Sequence, residues 1–67
     1  MKNTIKVERA RMDITQAELA ERTNVSRQTI NAIEAGKYVP STVLALKIAG
    51  VFGKGVNDIF ELEAGDR

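Results

Sequence analysis

Two helix starts stand close together in this chain, at Thr15 and Ser26, with Thr23-Asn24-Val25 breaking the pattern between the helices they open. Thr15-Gln16-Ala17-Glu18 reads as a capping box: the Thr15 hydroxyl accepts from the Glu18 amide while the Glu18 carboxylate reaches back to the Thr15 amide. The helix it opens runs to about Arg22, and Asn24 tolerates the left-handed backbone that a tight turn requires. Ser26, another preferred cap, opens a helix that carries Ile30 and Ile33 inward before Gly36 stops it. Two short helices packed at a steep angle need a small residue at their crossing, and Ala20 supplies it. Leu19, Val25, Ile30 and Ile33 fill the wedge behind them.

Helix signals dominate the rest of the chain as well, and no long stretch shows the alternation of a strand. A first helix is predicted over about Ile5 to Met12, with Asn3 or Thr4 as its cap and Val7, Ala10 and Ile14 spaced to face inward. Asp13 and Ile14 end it. After the loop Lys37-Tyr38-Val39-Pro40, Ser41 caps a fourth helix through about Phe52, with Leu44, Ile48, Ala49 and Phe52 as its inner face. Gly53-Lys54-Gly55 breaks this helix, Asn57 then caps a single turn Asp58-Ile59-Phe60, and Glu61-Leu62-Glu63 has the alternation of a very short strand that pairs with Lys2-Asn3.

A chain of 67 residues is sized for one core, so a single domain over residues 1–67 is expected. It has neither cysteine nor histidine, which removes disulfides and the usual zinc sites. No Gly-rich phosphate loop and no pair of carboxylates on an apolar pocket wall is present, so the pattern points away from an enzyme and calls for no cofactor, metal or small-molecule ligand. Without a long apolar run or a charged-then-apolar leader, a cytoplasmic protein with no membrane partner is expected. The formal net charge is only +1, but it is unevenly placed. Asp58, Glu61, Glu63 and Asp66 gather at the end, leaving nine bases against five acids in residues 1–57, a balance that suits a polyanion.

With the apolar residues of the third helix turned inward, its outward face consists of Ser26, Arg27, Gln28, Thr29 and Asn31. That surface has the chemistry to read base edges: Arg forks onto guanine N7 and O6, and Gln or Asn does the same with adenine. Arg27, Gln28, Thr29 and Asn31 are therefore the candidate base readers. Gln16 at the first turn of the second helix, Ser26, and Lys37 beyond the third are candidate phosphate ligands that set register without reading sequence. Glu34 sits beside this face, where a carboxylate would be repelled, and an intramolecular pair with Arg9 or Arg11 is expected for it.

The strings Gln16-Ala17-Glu18-Leu19-Ala20, Val25-Ser26-Arg27-Gln28-Thr29-Ile30 and Ile33-Glu34-Ala35-Gly36 resemble the phage-repressor and Cro-like helix-turn-helix family, also called the XRE family. Tyr38-Val39-Pro40-Ser41, Leu44-Ala45-Leu46-Lys47-Ile48-Ala49 and Asp58-Ile59-Phe60 extend the resemblance to the very short members of that family. It implies an all-α, five-helix, lambda-repressor-like DNA-binding domain with a short two-stranded antiparallel sheet from the termini. It further implies a transcriptional repressor that dimerises through its C-terminal half and binds a palindromic operator in double-stranded DNA. In the same resemblance, Gln16 falls where the family has a phosphate-binding Gln, and Arg27, Gln28, Thr29 and Asn31 fall on its base-reading helix. This chain departs from the family in having Asn24 where Gly is usual, Asp13 where Gly often ends the first helix, and Glu8 where Leu is frequent.

The fourth helix has more apolar residues than one face hides, since Val43, Leu46 and Val51 add to its inner four. A two-fold homodimer covers such a surplus, with Tyr38, Val39, Val51, Ile59, Phe60 and Leu62 at or near the interface and Tyr38 alternatively reaching a phosphate. Dimerisation would set two reading helices about 34 Å apart, one DNA turn. The competing reading is a protein-interaction module, such as an antitoxin-like partner.

Overall fold

A computed structural model describes residues 1–66. Strand β1 (Lys2–Asn3) leads into α1 (Ile5–Met12), α2 (Gln16–Thr23), α3 (Arg27–Glu34), α4 (Thr42–Val51) and α5 (Val56–Ile59). Strand β2 (Phe60–Glu61) and a 3-10 turn (Ala64–Asp66) follow. The five α-helices surround a core of Ile5, Ile14, Leu19, Ala20, Ile30, Ile33, Leu44, Ala45, Ile48, Ala49, Ile59 and Phe60. None of the described helices is long and apolar enough to cross a membrane.

The helix boundaries follow local chemistry. The Thr15, Ser26 and Ser41 side chains each accept from the backbone amide three residues on, at Glu18, Thr29 and Leu44, satisfying a donor that the helix leaves free. Only half of the expected capping box at Thr15 forms, because the Glu18 carboxylate turns outward to Arg22 at 2.6 Å. Asn24 takes φ 60° and Val25 N–H returns to the Ala20 carbonyl at 3.0 Å, closing α2 as the sequence predicts. Gly36, at φ 74°, closes α3 in the same manner, with Lys37 N–H donating to the Ala32 carbonyl at 2.9 Å.

The inward face of α1 differs from the sequence expectation. Val7 is 52% exposed and Ala10 is exposed, while Ile5 and Glu8 are buried. Ile14 faces inward as expected. The rotation has a polar cause: Glu8 receives Lys54 Nζ at 3.1 Å and lies 3.6 Å from Arg11 Nη1, while Arg9 reaches across to α3. A helix held by ion pairs on its inner side has no need of an apolar stripe there.

The cap of α1 divides between both candidates. Thr4 occupies the cap position without a capping side-chain bond, and the Asn3 Oδ1 accepts from Ile5 N–H at 3.2 Å while its Nδ2 donates to the Ile33 carbonyl at 2.9 Å. Asn3 thus ties the start of α1 to the end of α3.

At the other end, α5 starts earlier than expected. Gly55, not Asn57, is its cap, because the Asp58 carboxylate accepts from Gly55 N–H at 3.1 Å. Strand β2 likewise lies at Phe60–Glu61 rather than over Glu61-Leu62-Glu63. It pairs antiparallel with β1 in the register Lys2↔Glu61 and Asn3↔Phe60, continued by Thr4 N–H to the Ile59 carbonyl at 2.9 Å. The Met1 amino group lies 3.1 Å from both Glu63 and Asp66, and hydrogen bonding to these carboxylates raises its pKa.

Candidate nucleic-acid interface

Helices α2 and α3 form the bihelical unit, and the sequence dictates which side of α3 is left outside. Ile30 and Ile33 are wholly buried behind it, Ala20 is buried at the crossing, and Val25 packs partly buried against the core. What remains outward is Arg27, Gln28 and Asn31, all exposed, with Thr29 half-buried between them. The four candidate base readers therefore share one helix, and three of them stand in solvent.

Two of these side chains are already oriented by neighbours. Gln16 Nε2 lies 3.4 Å from Asn31 Oδ1, so the first turn of α2 is joined to the outward face of α3. Ser26 Oγ and Thr29 Oγ1 share a hydrogen bond at 2.9 Å, and Ser26 also accepts from Thr29 N–H at 3.1 Å. Among the described residues, neither Arg27 nor Gln28 has a side-chain hydrogen bond within the protein, which leaves both donor sets for an outside partner. Lys37 is exposed beyond the end of α3.

Glu34 is held away from this face. Arg9 grips it through Nε to Oε2 at 2.7 Å and Nη2 to Oε1 at 3.1 Å, and a third Arg9 donor meets the Ile14 carbonyl at 3.1 Å. Of the two partners expected for Glu34, the structure selects Arg9; Arg11 turns to Glu8 instead.

The six residues expected at a dimer interface do not lie together. Val39, Phe60 and Leu62 line one apolar groove of about 560 Å³, with Leu46 and Val56 among its other walls. Val51 packs partly buried against the core. Ile59 is 2% exposed, so the expectation for it is corrected: its side chain is enclosed by its own protomer and has no surface to offer a partner. Phe60, 9% exposed, contributes to the core as well as to the groove. Tyr38 stands apart with α3, where it lines a shallow hollow with Gln28, Thr29 and Ala32.

Sequence reasoning missed Ala32 and Leu46 as surface features. Ala32 follows Gln28 and Thr29 at the i+4 and i+3 spacing that puts residues on one helix face, a signal that was present but carries no hydrogen-bonding group to draw notice. Leu46 was legible only as part of an apolar surplus on α4.

Comparison with known proteins agrees with this geometry. The family model described as helix-turn-helix matches residues 5–59, which takes in all five helices. An uncharacterised HTH-type transcriptional regulator of Methanocaldococcus jannaschii is 56% identical over 63 residues, covering 94% of this chain and 96% of the relative. The HTH-type transcriptional regulator YgzD of Bacillus subtilis is 51% identical over 63 residues, with the same coverage. An HTH-type regulator of Archaeoglobus fulgidus is 52% identical over 60 residues, covering 90% of this chain and 84% of its own. With its caps, its left-handed turn at Asn24 and its outward Arg27-Gln28 pair in place, the chain belongs to the XRE-type helix-turn-helix family.

Proposed function

We propose that the protein is a sequence-specific, DNA-binding transcriptional repressor that works in the cytoplasm as a homodimer on a pseudo-palindromic operator. The observation that carries this reading is the outward face of α3, where Arg27 and Gln28 are exposed and unengaged on a helix whose back is locked into the core. Rigid placement of such donors suits the bidentate geometry of base edges in the major groove. Gln16, Ser26 and Lys37 flank the face and serve the phosphates.

The homodimer is supported by the apolar groove lined by Val39, Leu46, Phe60 and Leu62, three of which are more than half exposed. A contiguous apolar surface of this kind on a small domain is suited to a partner. A second copy placed there by a two-fold axis presents a second α3 to the next turn of the same duplex.

Selection of bound sites from a random duplex pool at two salt concentrations tests the reading. The expected result is a two-fold symmetric site whose affinity falls with salt at a log–log slope of about −0.9 for each phosphate neutralised. Folded protein that enriches no site shifts the function to a protein-interaction module using the same groove. Sedimentation of the same preparation reads the oligomeric state, with two protomers expected.

A further inference from the structure

We propose that the hollow formed by Gln28, Thr29, Ala32 and Tyr38 is a binding site for the 5-methyl group of a thymine in the major groove. The inference rests on α3 being the base-reading helix, and it adds a contact of a different kind to the polar ones.

The hollow is open and chiefly apolar, and it lies on the same helix face as the exposed Gln28. Its apolar character has specific causes. Ala32 ends in a methyl group. Thr29 has its hydroxyl engaged by Ser26 Oγ at 2.9 Å, so the group it has left to offer a ligand is its own methyl. Tyr38, half exposed, supplies an aromatic wall from the loop. That loop is brought back to α3 by the left-handed turn at Gly36 and the 2.9 Å bond from Lys37 N–H to the Ala32 carbonyl.

Among the groups that base pairs present in the major groove, the thymine methyl is the apolar one. An amide that reads adenine beside a hollow without free donors therefore selects an A·T-containing step. Cytosine presents a donor there, which this lining leaves unsatisfied. Thymine is the carrier of the methyl in unmodified duplex, and 5-methylcytosine carries the same group where DNA is modified.

The test uses the full chain and its selected operator, with each thymine of one half-site replaced singly by uracil, which differs only in lacking the methyl. One position is expected to lose about fourfold in affinity, the effect of one buried methyl group. The same loss is expected to shrink to less than twofold in Tyr38→Ala and in Ala32→Gly. Tyr38 is an exposed loop residue, so its variant retains the folded domain where a helix glycine might not. Cytosine and 5-methylcytosine compared at that position separate the two carriers: tighter binding of 5-methylcytosine extends the site to modified DNA, and equal binding restricts it to thymine. A selected site indifferent to uracil at every thymine overturns this inference alone, as does a uracil penalty that both variants keep in full. Absence of any selected site overturns the base-reading helix and this inference with it.

Discussion

Arg9 and Glu34 join α1 to the last turn of α3 through two hydrogen bonds, at 2.7 and 3.1 Å, with side-chain exposures of 16% and 8%. Two planar groups matched in this way hold the reading helix to the rest of the domain and keep a carboxylate from the surface that DNA would approach. Removing one partner leaves the other's charge in a site with little water. Glu34→Ala is therefore expected to destabilise the fold by about 3 kcal/mol, measured by urea denaturation at neutral pH. The exposed Arg22–Glu18 pair supplies the contrast: Arg22→Ala should cost no more than about 0.5 kcal/mol. Equal losses in the two variants would remove the structural role given to Arg9–Glu34.

Glu8 shows the other side of the same electrostatics. Its carboxylate, 8% exposed, meets Lys54 and Arg11, both of which reach water more readily than it does. An apolar side chain of similar size can fill the site without desolvating a charge. Glu8→Leu should change stability by less than about 1 kcal/mol, whereas Glu8→Ala, which also leaves a void, should cost about 2 kcal/mol. Thermal melts of the two variants in one buffer decide this, and a Leu variant less stable than the Ala variant contradicts it.

Asn24 and Asp13 both hold left-handed backbone, at φ 60° and φ 55°. Glycine adopts that region without a Cβ penalty, and alanine does not. Asn24→Gly should leave the melting temperature unchanged or raise it slightly, while Asn24→Ala should lose about 1 kcal/mol; the same order is expected at Asp13. An alanine variant as stable as the glycine variant at either position would show that the turn does not require its conformation.

On the operator, Arg27→Ala or Gln28→Ala should cost about 1–3 kcal/mol of binding and relax preference at one or two base pairs. Lys37→Ala should weaken binding to all sequences alike and flatten the salt slope by about one unit. Competition between operator and unrelated duplex, repeated over salt, separates the two kinds of contact. A sequence-dependent loss at Lys37 would move it from phosphate to base.

Asp66 accepts from Glu63 N–H at 2.9 Å, and that bond, aided by the Met1 amino group, holds its pKa below the ordinary 3.8. A depressed folded pKa means that the turn gains stability above the unfolded pKa and loses it as pH falls through the folded one. A carboxyl carbon titration followed by NMR should place the Asp66 midpoint below 3.8, with the Glu63 amide shift moving in the same range. A midpoint at or above that value would mean the turn is not held by this bond.

Most of the helix boundaries were legible because caps and turns are local. Thr15, Ser26 and Ser41 need only the amide three residues ahead, and Asn24 and Gly36 need only their own backbone. The facing of α1 was not legible, because apolar periodicity is blind to a face secured by Glu8 and Arg9. The starts of α5 and β2 were misplaced by one or two residues, since the first depends on Asp58 reaching Gly55 and the second on where Thr4 finds the Ile59 carbonyl. At the candidate site, Arg27 and Gln28 emerge as the complement of the buried Ile30 and Ile33. The hollow at Ala32 and Tyr38 does not, because it exists only once the chain has turned back at Gly36.

The pairing of β1 with β2 also bears on how the protein comes into being. Lys2 and Asn3 leave the ribosome first, yet their partners Glu61 and Phe60 are among the last residues made. Ile5, wholly buried, follows β1 at once, so an apolar anchor waits through nearly the whole of synthesis for its surroundings. Contacts this distant along the chain are slow to form and form together. The nascent chain therefore has no half-built domain to fall back on: closure comes in one step, near the moment of release.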